Sequence, residues 1–237
     1  MPLCVRTALV LLAFAGLPAL GAEIAPSPVV VAALAPATAP VSSPWDAELA
    51  AFASSDVAHP PVAGGILFVG SSSIRLWSNL EAEFGTSAGV LKRGFGGSQL
   101  GDCVKNLERL VVRYRPRTVL VYAGDNDLAA GVAPSEVRRR FEAFVAGVQR
   151  TLPDTRIAYI SIKPSPKRQA LLPQIRATND LIRAFAADQI NVAYIDVFTP
   201  MLDDSGAPRR ELFRDDALHL NASGYALWKK VIAPFVG

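Results

Sequence analysis

Residues 66–77, ILFVGSSSIRLW, change character twice within a short span. Ile66 to Val69 is an unbroken apolar run of strand formers. Gly70 and three serines interrupt it, and a helical pattern starts at once with Ile74-Arg75-Leu76-Trp77. A strand that turns into a helix with almost no linker is the repeating unit of a parallel α/β sheet. Working outward, four more short runs rich in Val, Ile, Leu, Phe and Tyr read as strands, at 90–92, 118–123, 156–162 and 192–197. Helical spacing fills the gaps. In 100–114, Cys103, Leu107, Leu110 and Val111 share a face; in 135–152, Pro134 stands at the start, and Phe141, Phe144, Val145 and Val148 share a face. Further helices are expected at about 173–188 and 222–235. Strand–helix alternation demands right-handed crossovers, so the expected fold is a three-layer α/β/α domain. Its core is a flavodoxin-like, doubly wound, five-stranded parallel sheet.

The chain has 237 residues, 51% hydrophobic and 19% charged, enough for one domain with a full core and no disulfide staples. The net charge is only +3, and the densest basic run, Arg138-Arg139-Arg140, falls in a predicted helix as a solvated face. Nucleic-acid binding is therefore not expected. At the N-terminus, Arg6 precedes an apolar run at 7–20 broken by Gly16 and Pro18, and small residues follow at Ala19, Gly21 and Ala22. This is the pattern of a secretory signal, read as residues 1–22, and the run is short for a membrane span. The expected destination is periplasmic or secreted, with no stable membrane insertion after cleavage; an uncleaved N-terminal anchor is the alternative. Cys4 lies before the apolar run, so it is no lipoprotein acceptor, and its removal leaves Cys103 alone. Cys103, in a predicted helix, reads as a buried structural thiol. Residues 23–44 are rich in Ala, Pro, Val and Ser and read as a linker, with the domain at 45–237.

In such sheets function sits at the carboxyl ends of the strands. The first of these loops, Gly70-Ser71-Ser72-Ser73, puts a serine beside the free N–H groups of a helix start. The second, Arg93-Gly94-Phe95-Gly96-Gly97-Ser98, has glycines that let the backbone approach a ligand closely. It is not a dinucleotide loop, because Gln99 occupies the place of the third glycine. The third, Gly124-Asp125-Asn126-Asp127, offers an amide that can donate to an oxyanion. Asp125 and Asp127 lack companions at metal-ligand spacing, so no metal is expected. Of the two histidines, His59 precedes Pro60-Pro61 ahead of the first strand and reads as peripheral. His219 lies in the polar segment 215–221, DDALHLN, three residues after Asp216. That spacing can bring the carboxylate onto a ring nitrogen and fix the tautomer. Together these loops supply the parts of acyl transfer. Ser72 is the nucleophile, His219 the base and Asp216 its orienting group. The Ser72 and Gly97 N–H groups and the Asn126 amide form the oxyanion hole.

The four blocks FVGSSSI, RGFGGS, GDND and DALHLN resemble, in order, those of the SGNH hydrolase superfamily, the GDSL-like esterases and lipases. The resemblance spans about 66–225 and implies the same fold, a serine esterase activity and no cofactor. The departures are specific. Ser71 stands where the family usually has aspartate, leaving three consecutive serines, of which the spacing from Gly70 favours Ser72. Ser98 replaces a common aspartate, Asp125 stands where glycine is frequent, and Asp215 competes with Asp216. An α/β-hydrolase nucleophile elbow is excluded: the residue two after Ser72 is Ile74 rather than glycine, and only one strand precedes it.

The expected substrates are small carboxylic esters, with O-acetyl groups on carbohydrate among them. The chain has no evident lid insertion and no large apolar stretch beyond the signal. Two other readings use the same fold: an acyltransferase on a cell-envelope glycan, and a non-catalytic glycan-binding module. The oligomeric state is not legible from the sequence.

Overall fold

A computed structural model of the chain describes residues 43–85 and 89–236. The expected signal at 1–22, and all but the last two residues of the expected linker, lie outside the described residues. In chain order the regular elements are α1 (Asp46–Ala58), β1 (Ile66–Gly70), α2 (Ser72–Arg75), α3 (Leu80–Glu83), β2 (Val90–Gly94), α4 (Leu100–Lys105) and α5 (Leu107–Leu110). They continue with β3 (Thr118–Tyr122), α6 (Asp125–Ala129), α7 (Pro134–Thr151), β4 (Arg156–Ile160), α8 (Leu172–Ala187), β5 (Val192–Ile195) and α9 (Ala222–Ile232). The strands form one parallel sheet in the order β2-β1-β3-β4-β5, the flavodoxin-like winding.

The central strands β1 and β3 are buried at every residue, which is why they are continuous apolar runs rather than alternating ones. Alternation survives in the direction each side chain takes. Leu67, Val69, Val119, Val121, Ile157 and Tyr159 join one core, with Cys103, Phe141, Phe144 and Val148 from the helices. Ile66, Phe68, Leu120, Tyr122 and Ile160 join the other, with Trp77, Tyr225 and Trp228. Two separate cores on the two faces of the sheet make the three-layer architecture. Each fully buried aliphatic or aromatic side chain in them contributes about 1.5–3 kcal/mol.

The helices differ from expectation at four places. The segment 100–114 is not one helix. Asn106 Nδ2 donates to the Asp102 carbonyl at 3.0 Å and ends α4, and a 3-10 turn at Val112–Tyr114 follows α5. Arg115 then takes a left-handed φ of 46° before Pro116. The short helices α3 and α6 were not anticipated, and neither was α1. In α1 only Leu49 and Asp56 are buried, so no apolar stripe announces it. What fastens α1 is polar. Asp56 forms a buried ion pair with Arg93 of β2 and accepts from Tyr114 Oη at 2.7 Å. The Arg138–Arg140 run is also more than a solvated face: Arg140 reaches inward to the fully buried carboxylate of Asp127 at 2.7 Å.

The tightest backbone approach lies where β1 ends. Gly70 has a φ of 141°, and a Cβ there would stand 1.9 Å from the Tyr122 carbonyl oxygen of β3. The Gly70→Ala substitution should therefore destabilise the fold by about 2–6 kcal/mol, combining backbone strain with overpacking. Urea denaturation measures this, and a loss below about 1 kcal/mol would mean that the corner relaxes freely.

Candidate active site

The loops after all five strands open on the same sheet edge, and the corner at Gly70 sets the first of them. Ser71 N–H donates to the Tyr122 carbonyl at 3.0 Å, and the chain turns at once into α2. The end of β2 is packed against this turn so closely that a Cβ on Gly94 would lie 2.2 Å from Arg75 N. On the far side, the buried Tyr225 hydroxyl of α9 donates to the Ser73 carbonyl at 2.9 Å. The three serines are thereby separated. Ser71 and Ser73 are buried side chains at 0% and 1% exposure, while Ser72 is half-buried and its Oγ lies 3.0 Å from His219 Nε2.

His219 is held by a tight turn. Ala217 takes a left-handed φ of 56°, and its carbonyl accepts from Lys167 N–H at 3.0 Å. Arg214 N–H donates to the His219 carbonyl at 2.8 Å, and Phe213 pairs with Leu220 in an antiparallel bridge. Asp216 Oδ1 accepts the N–H groups of Leu218 and His219, both at 2.9 Å, while Oδ2 meets His219 Nδ1 at 2.6 Å. Partial burial works against ionisation of Asp216. The two backbone donors and the ring outweigh it and hold the carboxyl far below its usual range. Asp216, rather than the exposed Asp215, meets the ring. A carboxylate on Nδ1 keeps the proton there, so the Nε2 lone pair faces the Ser72 hydroxyl.

Gly97 lies in the loop after β2 and Asn126 in α6 directly after β3, the strands that flank β1. Among the described residues, no protein acceptor takes the Ser72 or Gly97 N–H, whereas those of Ser71, Phe95, Gly96, Gln99 and Leu100 all have one. The orientation of the Asn126 amide follows from its partners. Arg168 Nη2, which can only donate, faces one amide atom at 2.8 Å, so that atom is Oδ1; the Ser98 carbonyl, which can only accept, faces the other at 3.0 Å, so that is Nδ2. One amide hydrogen is thus spent on Ser98 and the second is free. Such a set can accept a proton from a hydroxyl on one side and hold a developing anion on the other.

Sequence reasoning missed what stands behind Asn126. Asp125 is buried and receives Lys163 Nζ at 3.0 Å and Arg168 Nη1 at 2.9 Å. Burial opposes the charge on Asp125, but the two cations outweigh it and hold its carboxyl below the usual value. Burial also pulls the Lys163 ammonium down, against the attraction of Asp125. The signal was available: Lys163 is a charged residue directly after an apolar strand, at the edge where chemistry gathers. Asp127 plays a different part. It accepts the Leu100 N–H at 3.0 Å and pairs with Arg140, tying the Asn126 helix to α4 and α7. Cys103 is buried, and burial pushes its thiol up, in keeping with a structural residue. His59 is exposed and lines an apolar cavity with Ile66, Val90 and Pro116, at the opposite ends of the strands.

A family model for the GDSL-like lipases and acylhydrolases matches residues 68–227. No curated protein matches the chain significantly. Among solved structures, the chain is similar to a Streptococcus pneumoniae protein described provisionally as a platelet activating factor. The identity is 26% and the TM-score 0.71, over 81% of this chain and 92% of that one. A GDSL-like lipase from Bacteroides thetaiotaomicron is 18% identical, with TM-score 0.68 over 80% of this chain and 97% of its own. A variant of a Geobacillus acetyl-xylooligosaccharide esterase is 14% identical, with TM-score 0.60 over 75% and 96%. These two show a shared fold. The family match, which runs from the strand before Ser72 to beyond His219, shows more: this chain belongs to the GDSL-like lipase/acylhydrolase family of SGNH hydrolases and is a hydrolase of the esterase kind.

Proposed function

We propose that the protein is an exported serine esterase that removes small acyl groups, O-acetyl groups on carbohydrate among them, through an acyl-enzyme on Ser72. The observation that carries the mechanism is the continuous chain from Ser72 Oγ to His219 Nε2 at 3.0 Å and from His219 Nδ1 to Asp216 Oδ2 at 2.6 Å. Ser72 Oγ attacks the ester carbonyl as Nε2 takes its proton, and Asp216 stabilises the imidazolium. The carbonyl oxygen, now an anion, is held by the Ser72 and Gly97 N–H groups and the free hydrogen of Asn126 Nδ2. The tetrahedral centre collapses, the C–O bond breaks, and His219 returns the proton to the departing alcohol. Water repeats the sequence on the acyl-enzyme and releases the acid.

The preference for small acyl groups rests on the surface. The exposed large apolar side chains among the described residues are Val57, Val62 and Ile190, all away from the site loops. A lipid-binding esterase needs a contiguous apolar patch beside its nucleophile. Instead the side chains paired in the site loops are polar: Ser72 meets His219, Asp216 meets His219, and Arg168 meets Asn126. Export is supported by the pattern of Arg6, the apolar run at 7–20 and the small residues after it.

A fluorophosphonate probe should label the wild type stoichiometrically and leave Ser72→Ala unlabelled. His219→Ala should lose on the order of 10³-fold or more in turnover with its circular dichroism unchanged. Labelling of folded Ser72→Ala would place the nucleophile elsewhere. For Asn126→Ala, kcat should fall by roughly 10²–10³ with KM little changed, because the anion exists mainly in the transition state; a loss confined to KM would assign Asn126 to ground-state binding instead. Across p-nitrophenyl esters, kcat/KM should be highest for acetate and fall with chain length. A rise towards palmitate would overturn the small-acyl reading.

A further inference from the structure

We propose that Trp45 is a positioning residue of the oxyanion hole: by holding the Gly96 carbonyl, its indole N–H turns the Gly97 N–H towards the substrate. The inference rests on the serine esterase reading and extends it to a residue outside the segment 68–227 that matches the family.

The argument begins with the peptide between Gly96 and Gly97. A trans peptide is planar, and its C=O and N–H point in opposite directions. Whatever fixes the carbonyl therefore fixes the amide. The peptide lies at the centre of the turn Phe95–Ser98, in which the Ser98 hydroxyl donates to the Phe95 carbonyl at 2.9 Å. Gly97 has a φ of 74°, the left-handed third residue of a type II turn. Type I is the same turn with its central peptide turned over, and a glycine at this place accommodates both. A Cβ on Gly97 would meet nothing within 4 Å, so no close contact at that Cα holds the turn in this form. The choice has to come from outside the turn.

It comes from the N-terminal segment. Trp45 Nε1 donates to the Gly96 carbonyl at 2.7 Å, and Glu48 Oε1 accepts the Gly96 N–H at 3.3 Å. The Trp45 ring packs edge-on against Phe95, centroids 5.6 Å apart. The indole is thus held by packing as well as by its hydrogen bond. Turning the peptide over would strip the carbonyl of this donor and aim it into the space meant for the oxyanion, so the hole would lose a donor and gain a repulsive dipole. The far end of α1 is fastened by the Asp56–Arg93–Tyr114 cluster, so the indole arrives on a fixed element.

Trp45→Phe keeps an aromatic ring against Phe95 and removes only the donor. Hydrolysis of p-nitrophenyl acetate is followed per site titrated by a fluorophosphonate, so misfolded protein is not counted. We expect kcat to fall roughly 5- to 100-fold, the equilibrium weight of leaving one part-buried carbonyl without its donor. KM should stay close to wild type, and the thermal midpoint should fall by roughly 2–10 °C, since the folded state loses the same hydrogen bond. A kcat within twofold of wild type overturns the inference, and so does a loss that appears in KM with kcat preserved. Failure of the wild type itself to label at Ser72 would instead overturn the esterase reading on which the inference depends.

Discussion

Two backbones meet where β1 and β3 end, and the arrangement of the site follows from how closely they do so. Only a hydrogen atom fits between Gly70 Cα and the Tyr122 carbonyl. The chain can therefore leave β1 without a connecting loop, bond Ser71 N–H to β3 and begin α2 directly above the sheet edge. The winding of the parallel sheet changes sense between β1 and β3, with β2 on one side and β4 and β5 on the other. A helix that starts there has the β2 loop and the β3 loop as its neighbours. One supplies Gly97 and the other Asn126. Ser72, the proposed nucleophile, needs no special loop of its own because the winding of the sheet puts both flanking loops beside the end of β1.

The carboxyl edge of the sheet was readable in the chain because buried parallel strands are continuous apolar runs, and their loops carry polar residues with no packing role. Ser72, Gly97, Asn126, Asp216 and His219 each follow a recognisable strand or sit in a short polar turn, and those are local signals. Contacts across long sequence separations leave no such trace. Trp45 meets Gly96 across 51 positions, and Arg168 meets Asn126 across 42. Nothing near Trp45 or Arg168 in the sequence announces either partner. Helix α1 escaped notice for a related reason. Its alanines and serines form no apolar stripe, and the contact that secures it is the buried Asp56 carboxylate, which hydrophobic periodicity cannot register. The Arg138–Arg140 run misled in the opposite sense. Charge on a helix is usually solvated, and only the position of Asp127 beneath it draws Arg140 inward.

The departure at position 125 is best understood through charge. An aspartate beside an oxyanion hole would by itself oppose the reaction, since a buried like charge close to a developing anion costs several kcal/mol at low effective dielectric. Here the carboxylate of Asp125 is covered by two cations, Lys163 and Arg168. The cluster carries a surplus of one positive charge, and one of its members also grips the Asn126 carbonyl oxygen. The carboxylate thus works as an anchor that gathers positive charge behind the amide donor. On the other side of Ser72, the carboxylate of Asp216 stands against the ring that becomes positive. In the proposed reaction, charge separates along the line from the ester oxygen to the imidazole. In that reaction the Lys163 and Arg168 charges would stand behind the Asn126 donor and the Asp216 charge behind the imidazole. Fixed charges already in place at the moment of reaction stabilise a transition state without the reorganisation that water would require.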